Sequence, residues 1–469
     1  MVNDGTNFDL VVIGGGPGGY GAALYAASAG LEVALVEMGK LGGTCLNVGC
    51  IPAKELLETA AVLRTVREAE DFGVNTSAPT LDITVTMARK QRVIDTLVSG
   101  VGQLLKGRNV TVFNGTGSLV ADRRVQITGG ESGDVEIVGR NVVLASGSKP
   151  RTIPGFDIDG QVILTSDEVL SIDRVPATAA IIGGGAIGCE FASALADFGT
   201  EVTILEALPS ILAGCDSDVT KVVQRAFKKR SIAVKTGVMV GGHAPHGNGT
   251  VLDLGEGGLL DVEMVVVSVG RRPFPDHLGL EGTAVQLDDR KFVVVDDLCR
   301  TAEPGVYAIG DLVNTPQLAH VGFAEAIMVV KHMLGEAPSP IDYGKVPWAI
   351  YCHPEVAFAG HNEESAREAG YDVLVSKHRF SGNSRAMIVG STEGMVKIIA
   401  EKNADGTGGQ ILGVHMAGPW VTEQLGQGYL AVNWEATVDE VAEFIQPHPT
   451  LSELFGESVL AMTGRSLHG

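Results

Sequence analysis

Cysteine is scarce in this chain, with six residues in 469. A disulfide-stapled secreted fold needs a denser supply, and the start Met1-Val2-Asn3-Asp4-Gly5 has no basic leader segment, so a cytoplasmic protein is expected. Four of the six, Cys189, Cys215, Cys299 and Cys352, stand singly. Without a second close pair or a short histidine tract there is no soft metal site, and no metal is expected. Basic charge is also short: 35 Lys and Arg against 56 Asp and Glu leave a net −21. That disfavours nucleic acid and anionic membrane surfaces as partners. A membrane-spanning run is missing as well. The uncharged stretch 10–31 is broken by glycines and divides into a buried strand at Val11, Val12 and Ile13, a tight turn from Gly14 to Gly19, and a helix over 20–28.

What the chain has in excess is glycine, 62 residues, about twice the usual share, which suits close approach of backbone to ligands and of helix to sheet. The length predicts roughly three domains at about 150 residues each. Gly14-x-Gly16-x-x-Gly19 after an apolar strand, with Glu37 closing a second strand over 33–36, has the layout of a dinucleotide-binding unit. Gly183-x-Gly185-x-x-Gly188 repeats it after Ile181 and Ile182, with Glu206 closing 202–205. Gly183 lies 169 residues after Gly14, and the same offset separates Glu206 from Glu37, Gly199 from Gly30 and Val202 from Val33. A gapless internal copy of this kind predicts a nucleotide fold used twice, rather than two glycine turns kept for packing. In each copy the first glycine permits the turn, the second admits a pyrophosphate, and the third lets helix and strand touch. Glu206 repels a 2′-phosphate, and no arginine lies between it and Asp216, so NAD rather than NADP is expected there.

The other two cysteines, Cys45 and Cys50, sit in Gly42-Gly43-Thr44-Cys45-Leu46-Asn47-Val48-Gly49-Cys50-Ile51-Pro52-Ala53-Lys54. Pro52 and the apolar positions Leu56, Ala60 and Leu63 predict a helix from Cys50, whose dipole favours a thiolate at its start. A redox-active pair beside a dinucleotide is the reading preferred over half a metal site or a structural disulfide. Apolar strands at 142–144 and 265–267 end in the turns at Ser146-Gly147 and Ser268-Val269-Gly270, each returning to its own nucleotide unit. A third strand, Val306-Tyr307-Ala308-Ile309, runs into Gly310-Asp311 and a helical stretch around 319–333. Asp311 suits a cofactor hydroxyl or a helix cap equally well. His448-Pro449-Thr450-Leu451-Ser452-Glu453 offers an acid–base imidazole with a carboxylate to orient it, yet Thr450 to Glu453 also reads as a capping box.

Taken together, the Gly42 to Lys54 segment, the duplicated fingerprints, Thr301-x-x-x-Gly305-Val306-Tyr307-Ala308-Ile309-Gly310-Asp311 and the His448 to Glu453 segment resemble the flavin-dependent pyridine nucleotide–disulfide oxidoreductases over essentially the whole chain. The resemblance implies an α/β protein with FAD bound over 1–150, NAD over 151–275, a central domain over 276–346 completing the FAD site, and an α+β interface domain over 347–469 that builds a homodimer. It implies Cys45 as the sulfur that exchanges with substrate, Cys50 as the one against the flavin, and His448, held by Glu453, as the base serving the partner subunit. FAD would be lined by Gly14, Gly16, Gly19, Glu37, Thr44, Lys54, Gly117, Ser146, Asp311 and Ala319, with His320 a neighbour of the flavin. NAD would meet Gly183, Gly185, Gly188, Glu206, Val238 and Gly270, while Glu190 pairs with Lys54. The substrate implied is a dihydrolipoamide-type dithiol, free or on a lipoyl-bearing protein of a 2-oxo acid dehydrogenase or glycine cleavage complex. The alternative is NAD(P)H-dependent reduction of another small disulfide. Three positions depart from the family pattern: Ser146 replaces a threonine, Gln446 replaces the first histidine of His-x-His, and Phe274 replaces an asparagine.

Overall fold

The computed structural model describes residues 6–130 and 133–468. It divides into two compact units, one built from the described residues of Met1–Leu56, Asp82–Arg151 and Gly270–Tyr343, the other from Leu57–Leu81, Thr152–Val269 and Gly344–Gly469.

In the first unit the strands lie in the order Thr111–Asn114, Val33–Glu37, Asn7–Ile13, Val135–Leu144, Arg124–Thr128, Thr116–Val120, and Val306–Ala308 also joins Val135–Leu144. The first four of these and Val306–Ala308 run parallel; Arg124–Thr128 and Thr116–Val120 turn back antiparallel. Leu10, Val11, Val142 and Val143 are all fully buried, because a parallel strand covered on both faces must be apolar throughout rather than alternating. The helices Pro17–Ser28 and Ala319–Met333 pack on each other through small residues. A Cβ at Gly21 would stand 2.9 Å from the Phe323 ring, and one at Gly322 would stand 3.4 Å from the Gly18 backbone.

The second unit repeats the parallel motif as Ala233–Thr236, Glu201–Glu206, Thr178–Ile182, Met264–Val267, Ile163–Thr165. A three-stranded antiparallel sheet, Gly242–His246, Gly249–Asp253 and Leu259–Val262, follows it. A five-stranded antiparallel sheet comes next, ordered Trp348–Ile350, Glu355–Gly360, Gly408–Gly418, Met395–Lys402, Val373–Arg379. The helices Val421–Asn433, Val438–Ala442 and Glu453–Leu460 bury Leu425, Val441 and Phe455 in one core with that sheet's Val396, Ile398 and Val414.

The internal copy extends to individual hydrogen bonds. Gly14 donates to the Val36 carbonyl at 2.8 Å and Gly183 to that of Leu205 at 2.8 Å. Their φ angles are +107° and +109°, and a Cβ would stand 2.3 Å from the Ala145 carbonyl oxygen and 2.2 Å from that of Ser268. No L side chain fits either turn. The turn itself is shorter than the spacing predicts. The helix begins at Pro17, so Gly18 and Gly19 are helical and the turn ends at Gly16, which is the cap. Proline with its preset φ nucleates the first turn, and only glycine fits at position 19 inside it, since a Cβ there would be 1.8 Å from the Gly14 carbonyl oxygen.

Candidate active site

Two short connections carry the cysteines. The helix Gly43–Val48 holds Cys45, and the helix Cys50–Arg67 starts on the second cysteine, with Leu56, Ala60 and Leu63 buried as their spacing predicts. The segment is pressed against the first glycine turn: Gly42 donates to the Gly15 carbonyl at 2.8 Å, and a Cβ at Gly43 would lie 2.7 Å from Gly16 Cα. Asn47 Nδ2 spans the segment to the carbonyls of Leu41 (3.0 Å) and Gly43 (2.9 Å).

Cys45 and Cys50 are thiols here, Cys45 partly buried and Cys50 exposed. The hydrogen bond to Cys50 pushes the Cys45 thiol well up, burial and the charge of Cys50 add to this, and the Lys54 ammonium pulls the other way. Such mutual dependence is what a dithiol pair shows when the charge on one sulfur is felt by the other. Tyr20, on the fingerprint helix, is pushed up to about 12 by burial and then by Cys45 and Cys50. The sequence contained no signal for Tyr20.

Glu37 and Glu206 hold their turns in the same way. Gly15 and Gly39 donate to the two oxygens of Glu37 at 2.6 and 2.7 Å, and Gly184 and Leu208 to those of Glu206 at 2.6 and 2.7 Å. Behind each turn, the helices capped by Gly16 and Gly185 have no side-chain cap bond and no acidic residue in the first turn. Their leading N–H groups are therefore left for an anion. Asn47 Oδ1 is buried and finds no partner among the described residues. These features fit a dinucleotide on the Gly14 turn and another on the Gly183 turn.

Asp311 does not cap a helix. It lies in the short turn Gly310–Leu312, and the helix Ala319–Met333 is capped by Leu318 without a side-chain bond. Instead Asp311 Oδ2 accepts from Ser148 Oγ at 2.5 Å and stands 3.8 Å from Arg271 Nε, while Arg271 Nε donates to Ser148 Oγ at 2.7 Å. Burial pushes its carboxyl up, partly offset by Ser148 and Arg271. Beside it, Glu325 is wholly buried and accepts from Gly310 N–H (2.6 Å), Thr315 Oγ1 (2.9 Å) and Tyr343 OH (2.9 Å). Ser148, Arg271 and Glu325 were missed in the sequence; only Glu325 carried a signal, as a lone acid within the apolar run Ala324 to Val330.

Ser146 uses its hydroxyl to bond the Phe274 carbonyl at 2.6 Å, and the Phe274 ring lies under Lys149 Nζ at 3.6 Å. Gly117 sits in its strand with Val36 and Ile13 at 3.0 and 3.2 Å from an added Cβ. Thr44 lies in the Cys45 helix, and Ala319 opens the helix after Asp311. In the other unit, Val238 donates to the Glu206 carbonyl at 3.0 Å, and Glu190, 4% exposed, accepts from Tyr351 N–H at 2.9 Å. Gly270 takes φ +98° beyond the strand Met264–Val267.

His448 is 71% exposed, and its Nδ1 pairs with Glu453 Oε1 at 2.8 Å. Glu453 Oε2 accepts from Thr450 N–H at 2.7 Å, and Glu453 N–H donates to Thr450 Oγ1 at 3.3 Å. The Glu453 carboxylate thus holds the Thr450 N–H and orients the imidazole at once, ahead of a helix whose cap, Ser452, makes no side-chain cap bond. Gln446 Nε2 reaches Gln427 Oε1 at 3.4 Å.

Two features set the class: a thiol pair held against a dinucleotide turn, and a second such turn elsewhere in the chain. The chain belongs to the pyridine nucleotide-disulphide oxidoreductases, matching that family over residues 8–326 and its dimerisation domain over 346–459. More particularly, it is 40% identical to a dihydrolipoyl dehydrogenase of Bacillus subtilis (strain 168), with 99% of each chain covered. It is 39% identical to that of Zymomonas mobilis, covering 98% of this chain and 99% of that one. Among solved structures, LpdA from Mycobacterium tuberculosis matches with TM-score 0.91 at 25% identity over 97% of this chain and 99% of that one. The HOCl-induced flavoprotein disulfide reductase RclA from Escherichia coli matches with TM-score 0.85 at 26% identity over 97% and 99%.

Proposed function

We propose that the chain is a dihydrolipoyl dehydrogenase, oxidising dihydrolipoamide to lipoamide through Cys45 and Cys50, with FAD on the Gly14 turn and NAD on the Gly183 turn. The observation that carries this reading is the mutually hydrogen-bonded thiol pair, one member opening a helix, in a segment bonded to the first glycine turn. Gly16, Gly19, Glu37, Thr44, Lys54, Gly117, Ser146, Asp311 and Ala319 are assigned to FAD. Gly185, Gly188, Glu206, Val238 and Gly270 are assigned to the NAD side. The four blocks 1–150, 151–275, 276–346 and 347–469 are the corresponding functional division.

His448 Nδ1 is engaged by Glu453, which leaves Nε2 to take a proton. In a homodimer the partner subunit's His448 removes the proton from one substrate thiol, since a thiol is a poor nucleophile until it ionises. The thiolate attacks Cys45 Sγ, the Cys45–Cys50 bond breaks, and Cys50 leaves as thiolate. The second substrate thiol then displaces Cys45, passing its proton to the departing Cys45 sulfur and closing the substrate disulfide: two electrons and two protons leave the dithiol. Lys54, one turn beyond Cys50, supplies positive charge near the pair. Bound FAD supplies the two-electron relay from the reduced pair to the nicotinamide. Glu206, at the end of its strand, disfavours the 2′-phosphate of NADP. A lipoyl-bearing protein of a 2-oxo acid dehydrogenase or glycine cleavage complex, in the cytoplasm, is the physiological substrate carrier in this reading.

Anaerobic titration of the purified protein with dihydrolipoamide, first alone and then with NAD added, tests it. Long-wavelength thiolate-to-flavin absorption and NADH formation are expected in the parent, while Cys45→Ser and Cys50→Ser keep flavin and lose nearly all NADH formation. Retained turnover in either variant rules the pair out as the redox centre.

A further inference from the structure

Within the second unit lies a cleft of about 790 Å³ whose lining is basic, in a chain of net charge −21. Three elements form it. The helix Ser217–Lys229 presents Asp218, Lys221, Arg225 and Lys229 along one stripe, three or four residues apart. The strand Val373–Arg379 presents Lys377 and Arg379, two residues apart and so on one face. The third wall is the start of the strand Met395–Lys402, with Glu393 just before it.

Five cations therefore face two carboxylates, and both carboxylates are already engaged. Glu393 pairs with Lys229 at 2.9 Å. Asp218 meets Lys377 at 2.6 Å, Lys221 at 3.6 Å and the buried Lys397 at 2.9 Å. Arg225 and Arg379 make no side-chain hydrogen bond or ion pair among the described residues, and both are exposed. Lys229 at the helix end is explained by the helix dipole, but Arg225 lies a turn earlier and Arg379 on a strand, where no dipole accounts for them. Like charges gathered in a concave site repel one another, and a bound anion offsets this.

We propose that this cleft is a binding site for a small oxyanion of two or more negative charges, received by Arg225 and Arg379 with Lys221 and Lys377 beside them. A guanidinium fork matches the paired oxygens of a carboxylate or phosphate. The volume is that of a small-molecule site. The lining has no aromatic side chain and only Val222 and Met395 as apolar ones, so no platform exists for a nucleobase. The ligand class is an aliphatic polycarboxylate or a non-aromatic phosphate compound. The site owes nothing to the dithiol chemistry, and its test does not require turnover.

Isothermal titration of the flavin-loaded protein with inorganic pyrophosphate and with citrate, against acetate as the singly charged control, provides the test. At least one of the two is expected to bind below about 1 mM at low salt and to weaken as salt screens the charges. Tighter pyrophosphate assigns a phosphate ligand, and tighter citrate a polycarboxylate. Arg225→Gln/Arg379→Gln is expected to weaken binding about tenfold or more. Lys228→Gln/Lys402→Gln, which removes the same charge outside the cleft, is expected to leave it within about twofold. Failure of both probes to bind, acetate binding as tightly as either, or equal loss in the two double variants overturns the proposal.

Discussion

Glu453 spends its two oxygens on different tasks, one on His448 Nδ1 and one on the Thr450 N–H that precedes its helix. The imidazole is thereby tied to a helix start, which fixes its ring while most of its surface stays open to a reacting partner. His448→Gln is expected to retain flavin and lose turnover by ~10² to 10⁴, the usual worth of a positioned proton acceptor. A near-normal steady-state rate would leave the pair as a helix-start device only. At this scale the sequence was legible wherever chemistry is written in short spacing: Cys45 with Cys50, and His448 with Glu453. It was silent where a site is assembled across long separations. Ser148, Arg271 and Asp311 meet only because their chain segments fold together, and Tyr20 reaches the thiols from the fingerprint helix.

Among elements, the 169-residue copy was readable because each turn imposes a backbone that only glycine takes up, so the sequence must repeat wherever the geometry does. Glu37 and Glu206 show the same economy, each tying the end of one strand to the turn after another. Boundaries were less readable: Pro17 extends the helix back over glycines that local preference assigns to the turn. Three-residue strands such as Ser148–Pro150 and Arg271–Pro273 are too short to show a period at all, and tertiary pairing alone creates them. The copy also permits an asymmetric experiment. Gly183→Ala puts a methyl 2.2 Å from the Ser268 carbonyl at a φ of +109°, a strain of ~1 to 3 kcal/mol or more that must be relieved by moving the turn. Flavin content is expected to stay near that of the parent, while NAD binding weakens by about tenfold or more, the equivalent of about 1.4 kcal/mol. Fluorescence titration with NADH measures the second quantity and absorbance the first. Flavin loss with intact NADH binding would reverse the assignment of the two turns.

For the whole molecule, pH draws on buried charge in both units. In the second unit Lys397, 1% exposed, contacts Asp216 at 2.8 Å, Asp218 at 2.9 Å and Glu363 at 2.8 Å. Burial pushes Asp216 and Asp218 up, but Lys397, together with Lys377 at Asp218, outweighs it and holds both below their ordinary values; Lys397 does the same for Glu363. Their contribution is present above the unfolded values and lost as the pH falls below about 4. In the first unit burial raises Glu325 to about 7 against the donors Gly310, Thr315 and Tyr343. Folded Glu325 keeps a proton that the unfolded chain releases near pH ~4.3, so its contribution is complete below that pH and disappears as the pH rises through 7. With a net charge of −21 at pH 7, self-repulsion works in the same direction as Glu325 on the alkaline side. Stability of the flavin-loaded protein is therefore expected to peak at about pH 4.5 to 5 and to decline toward about pH 7 and beyond. Glu325→Gln, which cannot ionise, is expected to flatten that decline by ~2 kcal/mol between pH 5.5 and 8 in denaturant unfolding. Parallel declines in parent and variant would mean that Glu325 ionises in the folded protein as it does in water, and that repulsion alone sets the alkaline limb.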